Sequence, residues 1–297
     1  MNAPVVVGYD QSEQSDLALR EAVRQAESRG SAVRIVHGYV WATPVVGAAP
    51  LAPVLWQVEE MEDACRNAAK QLIEQVAAEV RTAHPGLTVE TVVKSGSAPA
   101  IIAEAAEDAA LVVVGSRGRG GFTGLLLGST SQRVLALARC PVLVVRDRLR
   151  GDRGRILVGL DIEDARSCDT LLEFAYEEAA RHPGTSLSPV HVWDEPWAVS
   201  YAVRIGEQEA VAAEHERADR FQERTEPWRA KYPGVDTHPF LLEGSAAKDL
   251  VELSDTADLV VVGASSRPDG RRGRRLGPVA QAVLHHAHCP VAVVPTW

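Results

Sequence analysis

The chain has 297 residues, of which 46% are hydrophobic and 24% are charged, a composition typical of soluble globular proteins and a length that suits two domains. Its formal net charge of −9 at pH 7 argues against a general binder of nucleic acid or of anionic membranes. The sequence has no apolar run long enough for a membrane helix, no basic leader and only scattered cysteines, so we expect a cytoplasmic protein with reduced thiols.

In the first half, short β-branched runs alternate with longer amphipathic stretches. The predicted strands read VVVGY, AVRIVHGYV, TVETVV, LVVVG and PVLVV. The predicted helices between them are SDLALREAVRQAESRG, a long segment over about 57–84, APAIIAEAAEDA and SQRVLALAR. Strands that are apolar throughout, with helices between them, favour a parallel sheet covered on both faces, which is a doubly wound α/β domain of Rossmann-like type.

The first of these helices carries clear start and stop signals. Either Ser12 or Ser15 can act as its N-cap, and Gly30 is expected to end it. Its apolar residues recur at helical spacing and predict a buried stripe. The stripe consists of Leu19, Ala22, Val23 and Ala26.

The chain is a duplication, because the same landmarks occur in the same order in both halves. VVVGYD corresponds to ILVGLD, ALVVVGS to DLVVVGA, and ARCPVLVV to AHCPVAVV. The polar stretch RDRLRGDRGR suits a linker. The sequence therefore predicts two five-stranded doubly wound domains in tandem, over residues 1–148 and 154–297.

A glycine-rich stretch, GSRGRGGFTGLLLGST, joins the fourth strand to the helix that follows. In a doubly wound sheet, ligands bind beyond the carboxyl ends of the strands, where this stretch begins. We expect a positive φ at Gly115, bare backbone amides along the loop, and an anion-attracting helix N-terminus after Gly128. These features predict a phosphate cradle. Its residues are Gly115, Ser116, Arg117, Gly118, Arg119, Gly120, Gly121, Gly128, Ser129 and Thr130.

A phosphate cradle alone would not give useful affinity. Each charge-assisted hydrogen bond contributes roughly 1.5–3 kcal/mol, and micromolar binding needs about 8 kcal/mol before association costs. The remainder must come from a base and a ribose, which Asp10 and the backbone at Gly38 could contact at neighbouring strand ends. The sequence contains neither a GK[ST] P-loop nor a GxGxxG motif.

The spacing Gly115, two residues, Gly118, nine residues, Gly128-Ser129 resembles the G-2x-G-9x-G-[ST] pattern of ATP-binding universal stress proteins. The VGYD start and the CPVLVV strand fit as well, and the whole chain is similar to the tandem members found in actinobacteria. The resemblance implies ATP, alone or with Mg²⁺, with adenosine near Asp10 and phosphates on the glycines. It also implies that the last strands of the two halves pair as an internal pseudo-dimer. The residues carried over are Gly8, Asp10, Gly38, Gly115, Gly118, Gly128, Ser129 and Thr130.

The second half departs from this pattern. Ser266 replaces the second glycine, and Gly277 is followed by Pro278, which removes one N–H and one hydroxyl. An arginine-rich loop with Arg271 and Arg272 could supply phosphate ligands instead, or could be a solvated surface loop. We expect a second site that binds nucleotide more weakly or with a different phosphate preference. Its predicted residues are Gly159, Asp161, Val192, Gly263, Ser266, Arg271, Arg272, Gly277, Pro278 and Val279.

The histidines have simpler interpretations than catalysis or metal binding. His37 and His191 follow the second strand of each half and are expected to hydrogen-bond neighbouring backbone, and the run from His285 to Cys289 lacks a second ligand cluster for zinc.

The preferred function is a non-catalytic ATP-binding regulator of the stress response, whose occupancy changes conformation or binding of an unidentified protein partner. Neither nucleic acid nor a membrane is expected as a partner, and a homodimer of chains is left open. The alternatives are an ATP-hydrolysing or nucleotidyl-transfer enzyme on the same fold, and a scaffold with vestigial pockets.

Overall fold

The computed structural model describes residues 2–40, 52–118, 127–146, 153–193, 207–266 and 274–296. The chain divides into two compact units, Met1–Val142 and Leu143–Trp297. Within the described ranges, none of the helices combines the length and the hydropathy that crossing a bilayer requires.

The first unit alternates strands and helices from its first described residue. Its elements are β1 (Asn2–Gly8), α1 (Glu13–Arg29), β2 (Ser31–Tyr39), α2 (Ala52–Ala83), β3 (Val89–Ser95), α3 (Ala98–Ala105), β4 (Leu111–Gly115) and α4 (Ser129–Leu137), and its last residue opens β5 (Val142–Val145). The strands lie in the order β3-β2-β1-β4, and every pairing among them is parallel.

Helix α1 forms as its cap residues and apolar stripe predict. Ser12 is the N-cap, and its hydroxyl accepts a hydrogen bond from the Ser15 backbone N–H at 3.2 Å. Gly30 ends the helix in the left-handed region at φ 58°, where its N–H bonds the carbonyls of Ala26 and Glu27. The four stripe residues are all buried. The buried stripe, the end at Gly30 and the Ser12 alternative for the N-cap are confirmed, and the helix begins at Glu13, two residues before the stretch read from the sequence.

The second unit repeats the alternation. Its elements are β6 (Arg155–Gly159), α5 (Ala165–Ala180), β7 (Ser186–Trp193), α6 (Glu207–Lys231), β8 (Phe240–Glu243), α7 (Ala246–Ser254), β9 (Leu259–Ser266), β10 (Arg274–Arg275), α8 (Pro278–His286) and β11 (Val291–Pro295). The order is β11-β9-β6-β7-β8 with parallel pairings. Strand β10 is the exception, since it pairs with β9 in antiparallel fashion.

The predicted fold class, two doubly wound α/β domains in tandem, is confirmed. Strands such as β4 are buried at every residue rather than at alternate ones, as a sheet covered on both faces requires. In each unit the first strand lies between the second strand and the fourth, so the chain order reverses beside it. The reversal falls between β1 and β4 in the first unit and between β6 and β9 in the second. Ligands bind at such switch points in this class of fold.

Candidate functional site

A cavity of about 450 Å³ opens at the switch point of the first unit. It lies at the carboxyl ends of β1, β2 and β4 and at the starts of α3 and α4. A volume of this size is in the range of small-molecule sites. The cavity is lined by Gly8, Tyr9, Asp10, Ser15, Val36, Gly38, Ala98, Ile102, Val114, Gly115, Arg117, Gly118, Gly128, Ser129, Thr130 and Ser131.

The Asp10 carboxylate is held in a fixed position in this cavity. Its Oδ1 accepts hydrogen bonds from the Ser12 backbone N–H at 3.1 Å and from the Ser12 hydroxyl at 2.5 Å. Its Oδ2 lies only 2.5 Å from the place where a Cβ on Gly118 would stand. The glycine at position 118 therefore allows the loop after β4 to close over the carboxylate.

The reason for a glycine at position 115 differs from the predicted one. Gly115 does not adopt a positive φ, so the expected left-handed turn at the end of β4 is wrong. A Cβ at Gly115 would instead lie 2.8 Å from the backbone oxygen of Gln14 in α1. Position 115 excludes a side chain because helix and strand pack backbone to backbone there.

The N-terminus of α4 forms the anion-attracting wall of the cavity. Gly128 is the N-cap residue, and its own N–H bonds the Ser116 carbonyl at 2.7 Å, which fixes the end of the loop. Ser129 and Thr130 begin the helix, so their N–H groups have no intrahelical acceptor and carry the positive end of the helix dipole. Both residues are exposed toward the cavity side.

Hydrogen bonds beneath the cavity fix the carboxyl end of β1. His37 Nδ1 bonds the Tyr9 carbonyl oxygen at 2.7 Å, and the Tyr9 hydroxyl donates to Asp16 at 2.8 Å. Burial raises the pKa of the Tyr9 phenol, and the bond to Asp16 raises that pKa further. The second unit repeats the histidine contact, with His191 Nδ1 at 3.0 Å from the Leu160 carbonyl oxygen. The expectation that both histidines bond neighbouring backbone is confirmed.

Most of the residues predicted for the first site are neighbours in the structure. Of the described members, only Ser116 does not line the cavity, since its side chain is buried beside Gln14. Arg119, Gly120 and Gly121 lie outside the described residues. The sequence missed seven lining residues, namely Tyr9, Ser15, Val36, Ala98, Ile102, Val114 and Ser131.

A second cavity of about 480 Å³ opens at the switch point of the second unit. Seven of the ten residues predicted for this site line the cavity, and Ser265 lines it where Ser266 was expected. Arg271 and Arg272 lie outside the described residues. The lining residues are Gly159, Leu160, Asp161, Asp164, Ser167, Leu171, Val190, His191, Val192, Ala246, Leu250, Val262, Gly263, Ser265, Gly277, Pro278, Val279, Ala280 and Thr296.

Directly after Gly115 and the matching Gly263, the described residues of the two units follow different courses. Strand β4 ends at Gly115, whereas β9 continues three residues past the matching Gly263 to Ser266. There β9 pairs with β10, with Ser266 opposite Arg274 and Ser265 opposite Arg275. A two-stranded ribbon thus occupies the chain segment that supplies Arg117 and Gly118 in the first unit.

The second cavity carries two carboxylates on the loop after β6. Asp161 Oδ1 accepts the Glu163 backbone N–H at 3.2 Å, and Asp164 caps α5 by accepting the Ser167 N–H at 3.0 Å. Beneath this loop, the Cys168 thiol donates to the Asp161 carbonyl at 3.1 Å. Burial raises the pKa of Cys168 to about 12, so this thiol is not a nucleophile at neutral pH.

The described ranges hold histidine, cysteine and carboxylate side chains, but not in metal-binding groups. No cluster of three or more His, Cys, Asp or Glu side chains there could hold a metal ion. All four cysteines are free thiols.

Fold and cavities together define a class: tandem doubly wound α/β proteins with one ligand-sized cavity at the switch point of each unit. Within that class, the chain belongs to the universal stress protein family, whose family model matches residues 1–146 and 153–295. The resemblance to tandem universal stress proteins seen in the sequence is therefore confirmed.

The relatives are tandem proteins of similar length. A universal stress protein of Mycolicibacterium smegmatis is 35% identical over 297 residues, covering 98% of this chain and 96% of the relative. One of Mycobacterium tuberculosis is 30% identical over 298 residues, covering 97% and 95%. Among solved structures, a universal stress protein of Archaeoglobus fulgidus superposes with a TM-score of 0.64 at 21% identity, covering 99% of this chain and 97% of that one. That likeness shows the fold.

Proposed function

We propose that the first cavity binds ATP and that its occupancy regulates the conformation or the partner binding of a stress-response protein. One observation carries the proposal: the Asp10 carboxylate and the N-terminus of α4 face a single cavity of about 450 Å³. A carboxylate suits ribose hydroxyls or a base amino group, and a helix N-terminus suits phosphate. ATP presents these groups on one molecule.

The walls of the cavity support a planar, partly apolar ligand between those two polar ends. Val36 and Val114 of the sheet and Ile102 of α3 give it apolar walls. Gly38 lets the start of α3 pack closely against β2 at the cavity wall, since a Cβ at Gly38 would lie 2.8 Å from the Ala98 Cα. Burial of a base against such a surface supplies the affinity that phosphate contacts alone do not give.

Titration calorimetry of the full chain with ATP tests this proposal. Ser129→Ala combined with Thr130→Ala removes two hydroxyl donors, each worth roughly 1.5–3 kcal/mol toward a charged phosphate. We expect ATP affinity to fall by about a hundredfold or more, since the two lost bonds together contribute at least about 3 kcal/mol and about 1.4 kcal/mol corresponds to a factor of ten. The control is Thr82→Ala, whose hydroxyl bonds only the Ala78 carbonyl in α2. Equal affinities in all three proteins would refute ATP binding at this cavity.

The same proteins decide between regulation and catalysis. A regulator should bind ATP with a heat signal but release no phosphate above the rate without protein. If the parent chain releases phosphate steadily and the double variant releases it more slowly, the protein is an ATPase rather than a non-catalytic regulator. Five expectations remain predictions from the sequence. They are the cytoplasmic location, the existence of a protein partner, Mg²⁺ bound with ATP, the pairing of the last strands of the two halves, and the open question of a homodimer.

The second cavity is proposed as a weaker or differently selective nucleotide site. Pro278, the first residue of α8, lacks the N–H that Ser129 presents at the first position of α4, and Ser265 and Ser266 pair with β10 where the first unit has its loop. A calorimetric isotherm with two equivalent ATP sites would contradict this expectation.

A further inference from the structure

A stripe of three arginines on α6 distinguishes the second unit from the first. The motifs HPG (84–86) and YPG (232–234) follow α2 and α6 and set the register between these two helices. In that register, the positions that hold Arg217, Arg220 and Arg224 in α6 hold Ala69, Leu72 and Val76 in α2. The stripe therefore replaces apolar residues on a helix face that packs against the unit, as the buried Ala69 shows.

Two of the three arginines contact the loop after β6, of which Asp161 and Asp164 line the second cavity. Arg220 forms ion pairs with Glu163 and, at 2.7 Å, with Glu216. Arg224 donates from Nε to the Ile162 carbonyl at 3.5 Å. Both contacts join α6 to the segment between Asp161 and Asp164.

Arg217 is different because part of its guanidinium is buried without an acceptor. Its Nη1 is shielded from solvent and has no hydrogen-bond partner in the structure as described. The guanidinium carbon lies 5.1 Å from the ring centroid of Trp193, the last residue of β7. A buried N–H of a charged group without an acceptor is costly, because the group has lost its hydration without gaining a hydrogen bond. An aromatic face offers no lone pair in the plane of the guanidinium.

The position of Arg217 indicates that a ligand of the second cavity supplies the missing hydrogen-bond acceptor for its Nη1. Trp193 directly follows Val192, which lines the second cavity at the carboxyl end of β7. Arg217 is also the member of the stripe closest to the N-terminus of α6, the end that lies at the same edge as the carboxyl ends of the strands. A planar guanidinium held against a tryptophan is arranged to bind an oxyanion in its own plane.

We propose that Arg217 and Trp193 form an oxyanion site at the edge of the second cavity, where Arg217 binds the phosphate or carboxylate group of a small-molecule ligand. This site lies on the β7 and α6 side, away from the α8 N-terminus and its Pro278. The proposal does not depend on ATP binding in the first unit.

Chemical labelling of the full chain tests the site directly. Phenylglyoxal modifies arginines, and mass spectrometry of peptides reports the labelling rate of each one. We expect 20 mM inorganic phosphate to slow the labelling of Arg217 at least fivefold relative to sodium chloride of equal ionic strength. Arg229, an exposed arginine of the same helix with 61% of its side chain accessible, is the internal control and should label at an unchanged rate. Sodium acetate replaces phosphate in a parallel arm and identifies a site that prefers carboxylates.

Variants at position 217 complete the test by calorimetry with the same two anions. Arg217→Ala introduces the residue that α2 has at this position and should remove one class of anion binding while leaving the circular dichroism spectrum unchanged. Arg217→Lys keeps the charge but not the planar fork, and should retain binding with at least tenfold lower affinity. Arg229→Ala should match the parent chain. Labelling of Arg217 that neither anion slows, or an isotherm unaffected by Arg217→Ala, would overturn the proposal.

Discussion

The contact between Gly118 and Asp10 allows a quantitative test of how the first cavity is built. In Gly118→Ala the new Cβ would stand 2.5 Å from Asp10 Oδ2, a separation that real side chains do not show. The neighbour in conflict is the end of a side chain rather than backbone, so we expect the carboxylate to rotate away while the fold persists.

The cost of that rotation follows from what holds the carboxylate. Rotation weakens the hydrogen bonds from the Ser12 N–H and hydroxyl to Oδ1, at 3.1 and 2.5 Å. Loss of one hydrogen bond to a charged group costs about 1.5–3 kcal/mol, and an off-rotamer torsion costs about 0.5–1.5 kcal/mol. Because the carboxylate is partly solvated, we take the lower end and expect Gly118→Ala to reduce the free energy of unfolding by about 1–2 kcal/mol.

A double-mutant cycle separates this conflict from other effects of the glycine. In the Asp10→Ala background the Cβ at position 118 meets no carboxylate, so the cost of Gly118→Ala should nearly vanish. The coupling energy between the two positions is then about 1–2 kcal/mol by urea denaturation, within the range for residues in contact. Gly86→Ala is the control, since a Cβ there has open space around it. Additive effects of the two substitutions would show that Gly118 does not act through Asp10.

Three further predictions concern stability and reactivity. Arg34→Ala removes ion pairs to Glu90 and Asp108 and a bond to the Ala105 carbonyl, and should lower the free energy of unfolding by about 1–2 kcal/mol. The hydrogen bond with Arg34 lowers the pKa of Asp108. The stability that the Arg34–Asp108 pair contributes should therefore be fully present above the unfolded pKa of about 3.9. It should be lost as the pH falls through the lower pKa that Asp108 has in the folded protein. Cys65 is exposed and Cys168 is buried with a pKa of about 12, so a thiol reagent at pH 8 should label Cys65 quickly and Cys168 only on unfolding; equal rates would contradict this. Gly30→Ala forces a side chain into φ 58° and should lower the thermal midpoint by a few degrees, a cost of about 1 kcal/mol.

The fold was predictable because local signals and tertiary structure agree. Ser12, Gly30 and the stripe between them specify α1 without reference to the rest of the chain. The strands could be located because β4 and the VVV run of β1 are apolar and buried at consecutive residues, as a sheet covered on both faces requires. Their parallel pairing follows from the helices between them.

The site was less predictable, for physical reasons. The glycine spacing indicates the loop, but the role of Gly115 depends on the backbone of Gln14, which lies 101 residues earlier in the sequence. Val36, Ile102 and Val114 line the cavity although they look like ordinary core residues. Arg217 appears in the sequence as one of several charges on a polar helix, and only the folded unit shows that its Nη1 is buried.

The ribbon of β9 and β10 limits how the two halves of this duplicated chain can exchange properties. Replacing Pro278 with serine would restore one N–H and one hydroxyl, but the three residues after Gly263 would still be committed to strand pairing. To give the second half the ligand preference of the first, the hydrogen bonds between β9 and β10 would have to be broken before a new loop could form. The duplicates have therefore diverged in backbone course as well as in side chains, so a point substitution in one copy is a poor guide to its counterpart in the other.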